Sequence, residues 1–82
     1  MMALADDDRY VLRALTEARG GQLTKEVRLR VNRLLKEAQS RRRFTDDKTG
    51  EILEFLAAEM MVAKQGADPV TWLITPRGRG SL

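Results

Sequence analysis

Met61-Val62-Ala63-Lys64-Gln65, the turn Gly66-Ala67-Asp68-Pro69 and Val70-Thr71-Trp72-Leu73-Ile74-Thr75-Pro76-Arg77-Gly78 form the stretch whose reading decides the fold. Val70, Trp72 and Ile74 recur with period 2, and Thr71 and Thr75 fall on the opposite face, the alternation of a half-buried strand. Gly66 and Asp68-Pro69 supply turn chemistry between two strands, expected at 61–65 and 70–75. Pro76 ends the pairing because it has no N–H to give the ladder. Upstream, Ile52, Leu53, Leu56 and Met60 follow period 3.6, so a helix over 49–61 feeds the hairpin.

Working outward, Asp6-Asp7-Asp8 precede a run in which Val11, Ala14, Leu15 and Ala18 share one face. Carboxylates suit a helix N-terminus, so a first helix is expected over 6–19, stopped by Gly20-Gly21. Thr24 is the expected N-cap of a second helix, with Val27, Val31, Leu34, Leu35 and Ala38 in one stripe. Continued to 42, that helix would span roughly 28 Å, but its periodicity is clear only to Ala38, which leaves open a break near Gln39-Ser40. Asp47 or Thr49 is the expected cap of the third. The ends, 1–5 and 78–82, are expected to fray. The chain thus reads as one domain, α+β but mostly α, with three helices followed by a two-stranded hairpin.

The helix, the hairpin and the exit Trp72-Leu73-Ile74-Thr75-Pro76-Arg77-Gly78 resemble the back half of a winged-helix domain. The resemblance implies a winged-helix fold with the hairpin as its wing, and DNA binding as the usual role. Fold alone does not give function, so the charges have to be asked separately.

Eighty-two residues make one small domain, and 43% hydrophobic content allows it a core. The chain has no cysteine and no histidine. Disulfides, thiolate or imidazole metal sites and the commonest general base are therefore excluded. The missing cysteines are compatible with a cytoplasmic location, which is the expectation. No apolar stretch is long enough to span a membrane, and the first residues lack the charge and apolar pattern of a secretory signal. The Asp6–Asp8 triplet reads as a capped helix start, since adjacent side chains diverge around a helix and do not converge on an ion. A calcium loop with Gly50 at its sixth position would start at Thr45 and end at Leu56, so it lacks its first and last carboxylates. Neither a metal nor a cofactor is expected. No Gly-rich phosphate loop and no nucleophile beside a base are visible, and catalysis is not expected.

Net charge is +3, unevenly spread: residues 24–43 sum to +6, whereas 44–64 sum to −3. Neutralising phosphates with Lys and Arg releases counterions, the physical basis of nucleic-acid affinity. The candidates for double-stranded DNA are Lys25, Arg28, Arg33 and Lys36 on the second helix, Arg41, Arg42 and Arg43 after it, and Arg77 and Arg79 beyond the wing. Asn32 could pair with adenine. The third helix departs from the family pattern. It exposes Glu51 and Glu54 and starts beside Asp46 and Asp47, and the wing tip carries no cation. Some ten residues, 39–48, precede it where a helix-turn-helix uses three or four. The family's recognition residues are therefore not carried over to this helix. The alternative is a protein-docking module or homodimer that uses Leu29, Glu51, Glu54 and Phe55, with Phe55 also a candidate for the core.

Overall fold

Trp72 is buried in the central strand of a three-stranded antiparallel sheet of order β1-β3-β2. The computed structural model describes residues 4–82. In chain order the elements are α1 (Asp6–Thr16), β1 (Gln22–Leu23), α2 (Thr24–Glu37), α3 (Asp46–Ala58), β2 (Val62–Gln65), β3 (Thr71–Ile74) and α4 (Pro76–Gly80). This is a winged-helix-like arrangement with one helix and one strand more than expected: α1 to α3, the β2–β3 hairpin after α3, a short strand between α1 and α2 that makes the sheet three-stranded, and α4 at the end. In the hairpin Val62 pairs with Ile74 and Gln65 with Thr71. On the other edge of β3, Gln22 pairs with Trp72 and Leu23 with Thr71. Two residues carry no period, so β1 leaves no pattern in the sequence.

The core joins all the main elements. Val11, Leu12 and Leu15 of α1, Val27, Val31 and Leu35 of α2, Leu53 and Leu56 of α3, and Val62, Trp72 and Ile74 of the sheet form one buried cluster. Each large side chain removed from water contributes about 1.5–3 kcal/mol before conformational entropy is set against it. The Trp72 indole N–H donates to Thr24 Oγ1 at 2.9 Å, which joins the sheet to the start of α2. Thr24 therefore does not cap α2. Leu23 stands at the cap position, and its N–H donates to Glu26 Oε1 at 2.8 Å.

Both long helices end short of the outer bounds expected for them, α2 at the break left open near Gln39-Ser40, and both close in the same way. Gln39 has φ 59° and Met60 has φ 62°, both left-handed. After α2, Ser40 N–H donates to Leu35 O and Gln39 N–H to Lys36 O, both at 2.9 Å. After α3, Met61 N–H donates to Leu56 O at 2.9 Å and Met60 N–H to Ala57 O at 3.0 Å. These are Schellman closures, which satisfy the last carbonyls and turn the chain away. The second helix thus stops at Glu37 rather than at 42, and the third at Ala58 rather than at 61. The third also begins earlier, at Asp46. Its cap is neither Asp47 nor Thr49 but Thr45, whose Oγ1 accepts from Lys48 N–H at 3.1 Å. Thr49 is instead fully buried, with its hydroxyl donating to Thr45 O at 2.8 Å. The first helix ends at Thr16, short of the expected 19, and a turn with Gly20 at φ 78° follows.

The C-terminal segment is ordered by the same residues that suggest the fold. Thr75 caps α4 by accepting from Gly78 N–H at 3.1 Å, and its hydroxyl donates to Met60 O at 2.7 Å. Pro76 both leaves the sheet and opens α4, where a missing N–H costs nothing. Gly78 is buried against the Met61 carbonyl. Residues 78–80, expected in a frayed end, therefore belong to the short helix α4. At the other end, residues 1–3 of the expected frayed segment lie outside the described residues. Leu4 packs against the core, and Ala5 precedes α1 with its N–H donating to Asp8 Oδ2 at 3.1 Å.

Two stability changes follow. A Cβ on residue 78 would stand 2.2 Å from Met61 O. Gly78→Ala should therefore cost about 2–3 kcal/mol in chemical denaturation, because backbone has to move. Gln39→Gly should stabilise the chain by about 0.5–1 kcal/mol in the same assay. Relief of the left-handed strain outweighs the entropy that glycine loses on folding.

Candidate nucleic-acid interface

The basic segment is divided by the end of α2 into a helical part and a strap over residues 38–45. Asn32, in the middle of α2, fixes the strap. Its Nδ2 donates to Phe44 O at 3.1 Å, and its Oδ1 accepts from Phe44 N–H at 2.7 Å. Both amide atoms of Asn32 are thereby engaged within the fold. The clamp places the Phe44 ring in the core, so a sequence that looks like helix and linker is a strap pinned at its far end. Its near end is closed by the α2 Schellman turn and by Arg42 N–H donating to Ser40 Oγ at 3.1 Å.

The structure separates the expected DNA-binding cations into two groups. Arg28 is bound through Nε to Asp46 at the start of α3. Arg33 pairs with Glu17 at 3.0 Å and lies 3.9 Å from Glu37. Arg42 pairs with Asp7 of α1. Lys25, Lys36, Arg41, Arg43, Arg77 and Arg79 are exposed and have no carboxylate within ion-pair distance among the described residues. One Arg43 nitrogen, Nη1, donates to Ser40 O at 2.8 Å and to Arg42 O at 2.6 Å, which braces the side chain along the strap. Arg77 and Arg79 lie on α4, apart in sequence from the strap.

The residues of the alternative protein-docking reading are spread over two helices. On α2, Leu29 is 52% exposed and borders a shallow concavity of about 360 Å³ with Gln22, Glu26, Arg30 and Arg33. On α3, Phe55 is 40% exposed, so it is a surface aromatic, and Phe44 supplies the core ring instead. Glu51 is exposed beside it, and Glu54 is held by Lys64 at 2.6 Å. The ammonium of Lys64 also lies 5.5 Å from the centre of the Trp72 ring. The cation nearest the wing is thus committed to the protein itself.

Two residues that the sequence does not single out join this region. Asp7 receives Arg42 Nη1 on one carboxylate oxygen and Lys48 Nζ on the other, the latter at 2.8 Å. Lys48 is further positioned with its ammonium 4.6 Å from the centre of the Phe44 ring. The Lys48 hydrogen bond is the larger cause that holds the Asp7 carboxyl below its ordinary value of 3.8. Partial burial opposes it, and the Arg42 hydrogen bond and charge add to it. Asp7 and Arg42 are 35 positions apart, and no local spacing reveals the pair. The groups gathered here are guanidinium, ammonium and carboxylate, and their chemistry is electrostatic.

Neither a protein-family model nor a curated protein sequence matches the chain. Among solved structures, that of Bordetella bronchiseptica BpsR is similar to it, with a TM-score of 0.69 and 22% identity. The match covers 94% of this chain and 48% of that one, so the chain spans about half the length of BpsR. The BpsR structure concerns the regulation of its DNA binding by 6-hydroxynicotinic acid. At this identity the likeness is one of fold. No helix among the described residues is long and apolar enough to cross a membrane.

The Asp7 pairing has a pH signature. Its depressed carboxyl contributes stability that is present above the ordinary aspartate range and is lost as pH falls through the lower folded value. Asp7→Asn should lower stability at pH 7 by about 0.5–1 kcal/mol. Denaturation series taken down the acid limb should show the difference from wild type closing.

Proposed function

We propose that this chain binds double-stranded DNA through the end of α2 and the strap that follows, as a transcriptional regulator or DNA-associated accessory factor of the cytoplasm. The observation that carries this reading is the pinned strap. It holds Arg41 and Arg43 at the surface just after the last turn of α2, which carries Lys36, and among the described residues none of the three has a carboxylate within ion-pair distance. A braced cation pays less entropy on meeting a phosphate than one on a free tail. The winged-helix-like fold and its likeness to BpsR, a protein studied for its DNA binding, add support. Lys25, on the outer side of α2, and Arg77 and Arg79 on α4 are secondary contacts in this reading, and Arg28 and Arg33 are structural. The α3 helix does not read bases here. Asp46, Asp47, Glu51 and Glu54 would meet phosphate with the wrong sign.

A second reading, docking of a protein partner or of a second copy, is favoured by one observation. Phe55 stands open on α3 next to the exposed Glu51, a surface suited to a basic partner with an apolar pocket.

A mobility-shift titration at several salt concentrations decides between the two. Wild type should bind duplex DNA with affinity that falls steeply as salt rises. Arg41→Ala with Arg43→Ala should reduce the slope of log affinity against log salt by about two, the loss of two phosphate contacts. An unchanged slope would remove the strap from the interface. Absence of salt-dependent binding, together with concentration-dependent association in sedimentation, would favour the docking reading.

A further inference from the structure

Arg42 and Lys48 come from different elements, the strap and α3, yet both point at one small anion, the carboxylate of Asp7. Two cations that converge from separate backbones on one carboxylate make an anion cradle. Asp7 is the most enclosed member, with its side chain 24% exposed, whereas Arg42 and Lys48 are 50% and 45% exposed. The outer faces of both cations therefore remain open to solvent. Lys48 keeps its place over the Phe44 ring, and the Asn32 clamp holds that ring and the adjoining strap still. Lys48 thus does not depend on Asp7 for its place, and the Arg42 backbone is fixed by the strap, while its guanidinium is held by Asp7.

We infer that Arg42 and Lys48 form a phosphate subsite, and that Asp7 is an internal stand-in for the phosphate which weakens its binding. The carboxylate presents two oxygens to the two donors, as a phosphate would. A phosphate brought to the strap competes with Asp7 for them and gains a contact only by displacing it. Asp7 therefore acts as a brake on affinity. Lys48 extends the anion-binding surface from the strap onto the first turn of α3, where Asp46 is already neutralised by Arg28. In its application to DNA the inference rests on the reading given above, but the subsite is defined by phosphate chemistry alone and is tested separately.

The test uses Asp7→Asn, with Asp6→Asn as its control. Asp6 is exposed and has no ion pair among the described residues, so its loss alters net charge equally without opening the cradle. Inorganic phosphate is titrated into each ¹⁵N-labelled protein. D7N should show saturable shifts at Arg42 and Lys48, and D6N and wild type should show them only at much higher phosphate. For duplex DNA at fixed salt, D7N should bind about three- to five-fold tighter than D6N, which corresponds to one added phosphate contact. That excess should vanish when Arg42→Gln and Lys48→Gln are added. Equal phosphate response in D7N and D6N overturns the inference. A phosphate response in D7N without DNA binding by any variant leaves the subsite standing and removes the DNA reading. Should D7N fail to fold, which a thermal melt reveals, Arg42→Gln in the wild type decides. It should weaken DNA binding about threefold, and no weakening overturns the subsite.

Discussion

The paired hydrogen bonds between the Asn32 side chain and the Phe44 backbone are the constraint on which the basic surface depends. One amide satisfies both the N–H and the C=O of a residue that belongs to no helix or strand. Buried peptide groups left without partners would cost about 1–3 kcal/mol each, so an irregular chain can enter the core here only because a side chain supplies what a ladder would. With Phe44 fixed, the strap has one path. The start of α3, Lys48 and the meeting with Asp7 are then set. Shortening α2 to Glu37 is what makes room for this path.

Charge in this chain is less available than its sum suggests. Eight cations lie between residues 24 and 43, and three of them, Arg28, Arg33 and Arg42, are held by carboxylates from other parts of the fold. Each exposed pair adds little to stability, on the order of 0–1 kcal/mol. Their larger effect is on the surface potential. They cancel positive charge where α2 meets α1 and α3, and leave it uncancelled at the outer side of α2 and along the strap. The acidic α3 thus has two roles: Asp46 and Glu54 tie down cations of neighbouring elements, while Glu51 and Phe55 remain open.

Much of the architecture is legible in the residues because it rests on periodic burial. The Trp72 and Ile74 alternation, the α1 and α2 stripes and the Thr75-Pro76 exit all express local geometry that one short window contains. What escapes is set by contacts far apart in sequence. The stripe of α2 runs out at Ala38, which leaves a break at Gln39-Ser40 open, but a left-handed glutamine carries no compositional mark that would decide it. Thr24 looks like a cap and is spent on the Trp72 indole 48 positions away. Phe44 and Phe55 look interchangeable until Asn32 selects one for the interior. For the candidate site, the sequence identifies where positive charge is concentrated, and the ion pairs decide which of those groups face solvent unneutralised.

The chain's single tryptophan has a consequence for work with this molecule. Its indole N–H is bonded to Thr24 at the beginning of α2, while the strap leaves from the end of the same helix, roughly 20 Å further along. The protein therefore carries its own fluorophore at the seam between sheet and helices, at the opposite end of α2 from the strap. Emission from that one ring reports whether the seam is closed, so a variant that loses ligand can be distinguished optically from one that has lost its fold.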